Sequence, residues 1–344
     1  MGKRKGTTRK LLMVILLIAV IVAFSIFVFT GENVSEMIKA LASADYHMVM
    51  LALCVYIFGI LCWSARWRYT LSRVGYRIPL RHVFQVVLSG IFVNNMTPMT
   101  YAGGDPIART ILMSRTTKVP ASHASATIVS ELLLDIPLFA FLLLFGIFAS
   151  FLHAQLEMLA LLIGSWIFVI LLFVLGISAF LKRRMVARKF VGLFVRILKF
   201  FRRKPQRKKI EESVERFYRG GTLIFSRLRV AMFVTLISSF LWALGIIRLW
   251  VVFCAVGYSP QLPMLMLALT LPAIAGLIPL LPGGIGTVDI TILSIFLTFG
   301  VPKGMAISAL LIDRSISLIF GTSIGAIAIS KLGIKVWRGE KITA

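Results

Sequence analysis

From Leu11 to Thr30 the chain runs twenty residues without a charged side chain, and such a stretch allows very few backbone structures. In hydrocarbon no water pairs with an exposed amide, so a single crossing segment must satisfy its own hydrogen bonds as an α-helix of about 20 residues. Comparable apolar runs recur at about 47–63, 123–150, 157–181, 230–256 and 304–330, and shorter ones at 83–96, 104–114, 263–281 and 286–300. The expected fold is an all-α polytopic membrane protein, with six long transmembrane helices plus two interrupted hairpin segments in an inverted repeat. With 59% hydrophobic and only 15% charged residues, a 344-residue soluble chain could not cover its own surface. Residues 1–344 therefore form a single transmembrane domain. Lys3, Arg4, Lys5, Arg9 and Lys10 precede the first run as they would in a signal peptide. That run is too long for a signal core and has no small-residue cleavage site, so it is expected to stay as the first span.

The formal charge of +25 raises nucleic acid as a partner. No nucleic-acid motif accompanies it, and none is expected to bind. Basic residues collect in cytoplasmic loops of membrane proteins, and here they order the topology. The basic N-tail is placed inside, and the acidic stretch with Glu32, Glu36 and Asp45 outside. Arg66, Arg68, Arg73, Arg77 and Arg81 mark the segment after the second span as cytoplasmic, as do Arg109, Arg115 and Lys118 before the span at 123. The intervening chain thus starts and ends on one side, which fits a re-entrant hairpin broken between Asn94 and Gly104. The stretch 182–229 holds 17 Lys or Arg against three acids and is the basic cytoplasmic loop. Within it Phe190, Phe194, Ile197, Leu198 and Phe201 recur at helical spacing among arginines, a pattern shared by helices on anionic membranes and by solvated linkers. Lys331, Lys335, Arg338 and Lys341 place the C-tail inside as well. The stretch 263–300 fits either a second re-entrant hairpin or two short crossings. The expected location is the cell membrane, multi-pass, with both termini cytoplasmic.

Two units share landmarks. Gly103 and Gly104, Val119 and Pro120, and Glu131 recur as Gly283 and Gly284, Val301 and Pro302, and Asp313, offset by 180 residues at the glycines and 182 thereafter. The first unit, 83–151, runs outward along its long span and the second, 263–331, runs inward. Inverted repeats with broken helices place substrate where the breaks meet, near the midplane.

Only 13 acids occur in the chain, yet Asp105, Glu131, Asp135, Asp289 and Asp313 fall in these hairpins and spans, with Arg248 and Arg314. A charge at a helix centre costs about 2.5–3.5 kcal/mol on insertion scales, so these side chains should face an interior and pair. Glu131 and Asp135, four apart, share a helix face. Two carboxylates so close call for a cation, and Arg109 or Arg314 is expected between them. Asp105 and Arg109, also four apart, can pair along one helix. Cys54, Cys62 and Cys254 lie in apolar runs and show no disulfide or zinc spacing. His47, His82, His123 and His153 are too scattered for a metal site or a nucleophilic triad, so no metal and no cofactor are expected.

Asn94, Asn95, Met96, Thr97 and Pro98, followed by Gly103, Gly104, Asp105 and Arg109, resemble the flippase-like integral membrane family related to the transmembrane region of lysylphosphatidylglycerol synthase. The resemblance continues through Glu131, Leu132, Leu133, Leu134 and Asp135, resumes at Pro282, Gly283, Gly284, Ile285, Gly286 and Asp289, then Arg314, and covers roughly 10–335. It implies lipid handling: in bifunctional relatives this region is assigned the flipping of an aminoacylated lipid that a separate soluble domain makes. The last expected span ends near Ser330, so no such synthetase domain, and no aminoacyl transfer by this chain alone, is expected.

The expected substrate-binding or transport set is Asn94, Asn95, Asp105, Arg109, Glu131, Asp135, Asp289 and Arg314. The hairpin breaks are Pro98, Gly103, Gly104, Pro282, Gly283 and Gly284. The leading function is a lipid flippase or transporter for a polar or anionic lipid, with membrane lipids or a lipid-linked substrate as partners. A membrane transferase with an acidic general base is the enzyme alternative. A scaffold that docks a membrane enzyme through 182–229 is the other.

Overall fold

The computed structural model describes residues 39, 41–97, 103–150, 156–181, 207–277 and 281–337, all helical segments and their connections. The first expected span, Pro98 and the aromatic stretch at 190–201 lie outside the described residues. Helix α1 (Tyr46–Arg73) is capped by Asp45, whose carboxylate accepts the His47 amide at 2.8 Å. The chain then forms α2 (Leu80–Met96), α3 (Gly104–Thr116), α4 (Ala121–Ser150) and α5 (Leu156–Leu181). Next come α6 (Arg207–Phe225), α7 (Leu228–Ala255), α8 (Leu262–Ala275), α9 (Thr287–Thr298) and α10 (Lys303–Arg314). A π-helical turn at Ser315–Phe320 joins α10 to α11 (Gly321–Trp337) without a break in direction.

Among the described residues, four helices are long and apolar enough to cross a membrane: α1, Ala121–Ala149 of α4, α7, and the continuous Lys303–Ile334. They coincide with four of the six expected long spans. Helix α5 has an apolar stretch at Leu162–Ser178. The two glycine-broken pairs differ in length. At 1.5 Å per residue, α2 and α3 are about 26 and 20 Å long, and α8 and α9 about 21 and 18 Å. All four fall short of the roughly 30 Å hydrocarbon core, and each pair packs on itself.

Two large apolar cores, and a small third cluster of Ile224, Val230 and Val234, hold the described bundle. One joins α1, α2, α3, α4 and α11 through Trp67, Leu71, Val86, Val87, Met113, Ile128 and Leu332. The other joins α4, α7, α8, α9 and α10 around Phe253 and Phe296, whose rings meet edge to face at 4.7 Å. A small residue allows a close helix contact: a Cβ on Gly325 would lie 2.6 Å from the Leu88 carbonyl oxygen, so α11 and α2 meet there backbone to backbone. The outer face is apolar, with Phe148 78% and Leu236 67% exposed. A water-facing surface would carry polar groups there, whereas acyl chains solvate such residues at no cost. Cys54 and Cys254 also face outward rather than into a core. From the basic 182–229 stretch, α6 folds back onto α4, with Gly220 close enough that a Cβ would touch Ala126 at 3.1 Å.

Candidate functional site

Helix α1 does not stop where its uninterrupted apolar run does. No breaker occurs until Gly75, at φ 102°, so the helix carries Trp63, Arg66, Trp67 and Thr70 onward into the bundle. Arg66, which the charge pattern assigns to a cytoplasmic segment, is only 5% exposed. Its Nη1 donates to Asp135 Oδ1 at 2.8 Å and to Ser238 Oγ at 2.5 Å, and its Nη2 lies 3.3 Å from Glu131 Oε2. Thr70 Oγ1 donates to Glu131 Oε1 at 2.6 Å. The cation between the two α4 carboxylates is therefore Arg66, not Arg109 or Arg314. Helical spacing stacks Glu131 and Asp135 on one face, and it is the packing of α1 on α4 that brings the guanidinium to them.

Arg109 is engaged on its own helix. Its Nε and Nη2 donate to Asp105 Oδ2 at 2.8 and 2.7 Å. The guanidinium carbon sits 4.7 and 4.9 Å from the rings of Trp63 and Trp67, close enough for both aromatic faces to stabilise the cation. Gly90 on α2 makes the room: a Cβ there would overlap Asp105 Oδ1 and approach Arg109 Cγ to 2.9 Å.

The second glycine break carries the other charges. Asp289 sits in the first turn of α9, where its Oδ2 accepts the Gly286 amide at 3.0 Å and its Oδ1 pairs with Arg314 Nε. A carboxylate at a helix N-terminus is favoured by the exposed amides and the helix dipole. Neighbouring Asp313 turns instead to Arg248 on α7, 2.9 Å from its Nη1, and the Arg248 guanidinium carbon lies 5.6 Å from the Tyr56 ring centre.

The breaks themselves touch. Gly103 and Gly283 adopt φ of 137° and 68°, values that L side chains rarely take. A Cβ on Gly283 would lie 3.4 Å from the Asn95 carbonyl oxygen, and one on Gly104 would lie 3.0 Å from Asn94 Cα. Asn95 Nδ2 donates to Thr322 Oγ1 at 3.0 Å, tying the first break to the start of α11. Pro282 and Gly284 complete the tight turn at 282–284.

Two cavities flank this junction. The larger, about 760 Å³, is lined by Trp63, Arg66, Asp105, Arg109, Glu131, Asp135, Ser238 and Trp242. The smaller, about 200 Å³, is lined by Asn95, Gly283, Asp313, Arg314 and Ser317. Tyr56, Ile91, Asn94, Arg248 and Leu269 line both, so these five form the wall between them. Of the residues singled out from sequence, Asn94, Asp105, Arg109, Glu131 and Asp135 come together in the larger cavity, and Asn95 and Arg314 in the smaller. Asp289 stands behind Arg314 and lines neither. Asp105 Oδ1, Arg109 Nη1 and Arg314 Nη2 are buried with no hydrogen-bond partner among the described residues. Buried polar atoms are rarely left so. Among the described residues no His, Cys, Asp and Glu group could hold a metal ion.

Arg66, Trp63 and Trp67 are the residues sequence reasoning missed. The signal was present: Ile60, Trp63, Trp67 and Leu71 continue the helical period of the apolar run past Ser64.

This fold and site define a multi-pass helical membrane protein with paired charges around cavities inside its bundle. The chain belongs to the lysylphosphatidylglycerol synthase TM region family, whose sequence model matches residues 12–325. It is similar to a UPF0104 membrane protein of Methanocaldococcus jannaschii, 28% identical over 92% of this chain and 93% of the relative. UPF0104 membrane proteins of Methanothermobacter thermautotrophicus and Pyrococcus horikoshii are 26% and 27% identical, over 94% and 92% of this chain and 96% of each relative.

Proposed function

We propose that the protein is a lipid flippase or transporter, which passes the polar or anionic headgroup of a membrane lipid through the charged cavities while the acyl chains remain in the bilayer. One observation carries this reading: the two glycine breaks meet, and cavities on either side of the junction share a wall that includes Arg248. A volume of about 760 Å³ falls within the roughly 300–1,000 Å³ of small-molecule sites. The unpartnered guanidinium nitrogens of Arg109 and Arg314, one in each cavity, offer donors to a phosphate. Each unit has the order short helix, glycine turn, short helix, long helix, and we take the two units as inverted with respect to the membrane. The basic connections then face the cytoplasm with both termini.

In this mechanism a headgroup phosphate replaces Asp313 on Arg248 as it crosses the wall, and the ion pair re-forms behind it. The exchange keeps the Arg248 guanidinium paired at every stage and leaves Asp313 facing the cavity it lines. The test uses vesicles of phosphatidylcholine and phosphatidylglycerol carrying the full-length protein and a fluorescent phosphatidylglycerol, with movement read by dithionite quenching of the outer leaflet. The parent protein is expected to expose label that protein-free vesicles protect. Arg248→Met is expected to slow this about tenfold or more, the loss of one charge-assisted hydrogen bond in the crossing state. Equal rates for Arg248→Met and the parent, both folded by circular dichroism, would remove Arg248 from the route. No movement of phosphatidylglycerol or of fluorescent phosphatidylethanolamine by the parent protein would reject the transport reading.

A further inference from the structure

Among the described residues, the buried charges of the bundle do not balance. Arg109 pairs with Asp105, Arg248 with Asp313 and Arg314 with Asp289, one base to one acid. Arg66 alone faces two carboxylates, Glu131 and Asp135, which leaves one negative charge in excess. Among the described residues, no neighbouring element brings a buried cation without an acid of its own. From α3 come Asp105 and Arg109, a pair of no net charge whose guanidinium also acts on Glu131, and Arg115 on that helix is exposed. From α7 come Ser238, a neutral acceptor for Arg66, and Arg248, held by Asp313. Arg229 at the start of α7 is exposed, as are Arg68 and Arg73 on α1. Helix α6 brings Arg216 and Arg219 near His123, two turns from Glu131 on α4. The acids of α6, Glu211, Glu212 and Glu215, are exposed. Among the described side chains, α5 and α8 carry no ionisable group.

A lone excess charge in a site of low dielectric is neutralised by whatever can reach it. Glu131 is 1% exposed, and its Oε2 has no hydrogen bond although it lies 3.3 Å from Arg66 Nη2. Asp135, with its side chain 21% exposed, lines the larger cavity and links the site to whatever fills it.

We infer that Arg66, Glu131 and Asp135 form a proton-binding site, loaded from the cavity through Asp135. The step is a proton transfer alone: hydronium in the cavity gives its proton to a carboxylate oxygen, one O–H bond forms and one breaks, and the reverse step returns it to water. Resting on the transport reading, this site couples headgroup movement to a proton gradient, because the cavity that admits the headgroup also loads the proton.

Infrared difference spectra of the full-length protein in phosphatidylcholine and phosphatidylglycerol vesicles test the site without reference to transport. The parent protein is expected to show a carboxylic-acid carbonyl band that disappears as pH rises. Asp135→Asn and Glu131→Gln are each expected to lose that band, because Arg66 then balances the one remaining carboxylate. Asp45→Asn, at the exposed N-terminal cap of α1, is expected to keep it. Absence of the band in the parent protein, its survival in both α4 variants, or its removal by sodium at fixed pH would overturn the inference, whatever the lipid assay shows. In the lipid assay, a pH gradient at constant sodium is expected to concentrate fluorescent phosphatidylglycerol in one leaflet of parent vesicles, and Asp135→Asn to leave it evenly distributed. Even distribution in both would overturn the coupling. A titrating band with no lipid movement under any condition would keep the proton site and reject the transport reading instead.

Discussion

Arg66→Met removes the one guanidinium that two buried carboxylates share and replaces it with an unbranched apolar side chain. Breaking a buried pair by deleting one partner costs about 3–5 kcal/mol, because the remaining charge has lost both water and counter-ion. Here two carboxylates remain, four residues apart on α4. At a separation of about 6 Å and an effective dielectric near 20 their mutual repulsion is about 3 kcal/mol. A proton shared by the pair, as inferred above, already relieves that repulsion, so the net expected loss stays near about 3–5 kcal/mol. The assay is equilibrium unfolding in mixed micelles by titration with a denaturing detergent, followed by circular dichroism. Combining Arg66→Met with Glu131→Gln and Asp135→Asn should recover most of the loss, since buried ion triads replaced by neutral groups of similar volume are often no less stable. A single variant within about 0.5 kcal/mol of the parent, or a triple variant no better than the single, would refute Arg66 as the buried counter-ion.

Two glycines give independent checks on packing. Gly90→Ala puts a Cβ into the Asp105 carboxylate and 2.9 Å from Arg109 Cγ. It is expected to cost about 1–3 kcal/mol and to slow lipid movement by displacing the ion pair from between Trp63 and Trp67; an unchanged rate would show that the position of the pair is immaterial. Gly325→Val opposes its side chain to the Leu88 carbonyl and to Phe92, so α2 and α11 must separate. Unfolding at lower denaturant by about 2 kcal/mol or more is expected, and full stability would contradict the close helix contact.

Long apolar runs made most of the helices legible. Each needs only its own residues to close its hydrogen bonds, so α1, α4, α7 and the α10–α11 span could be placed from local composition alone. The breaks at Gly103 and Gly283 were legible for the same reason, since positive φ is a local demand that glycine meets. So was the Asp105–Arg109 pair, which a single helical turn brings together. The choice of partner across helices was not. Arg66 and Asp135 stand 69 positions apart in the chain, and the rotation of α1 about its axis decides whether Arg66 meets Asp135 or the aqueous phase. Asp313 and Arg314 are adjacent in sequence, yet a helix points consecutive side chains about 100° apart. Their separate pairing with Arg248 and Asp289 follows from where α7 and α9 pack. Sequence by itself determined which apolar segments are helical, where two of them break, and that charges lie within them. Only the tertiary structure decided which charges cancel and which carboxylate is left in excess, because ion pairing falls off over a few ångströms and depends on how separate helices turn toward one another.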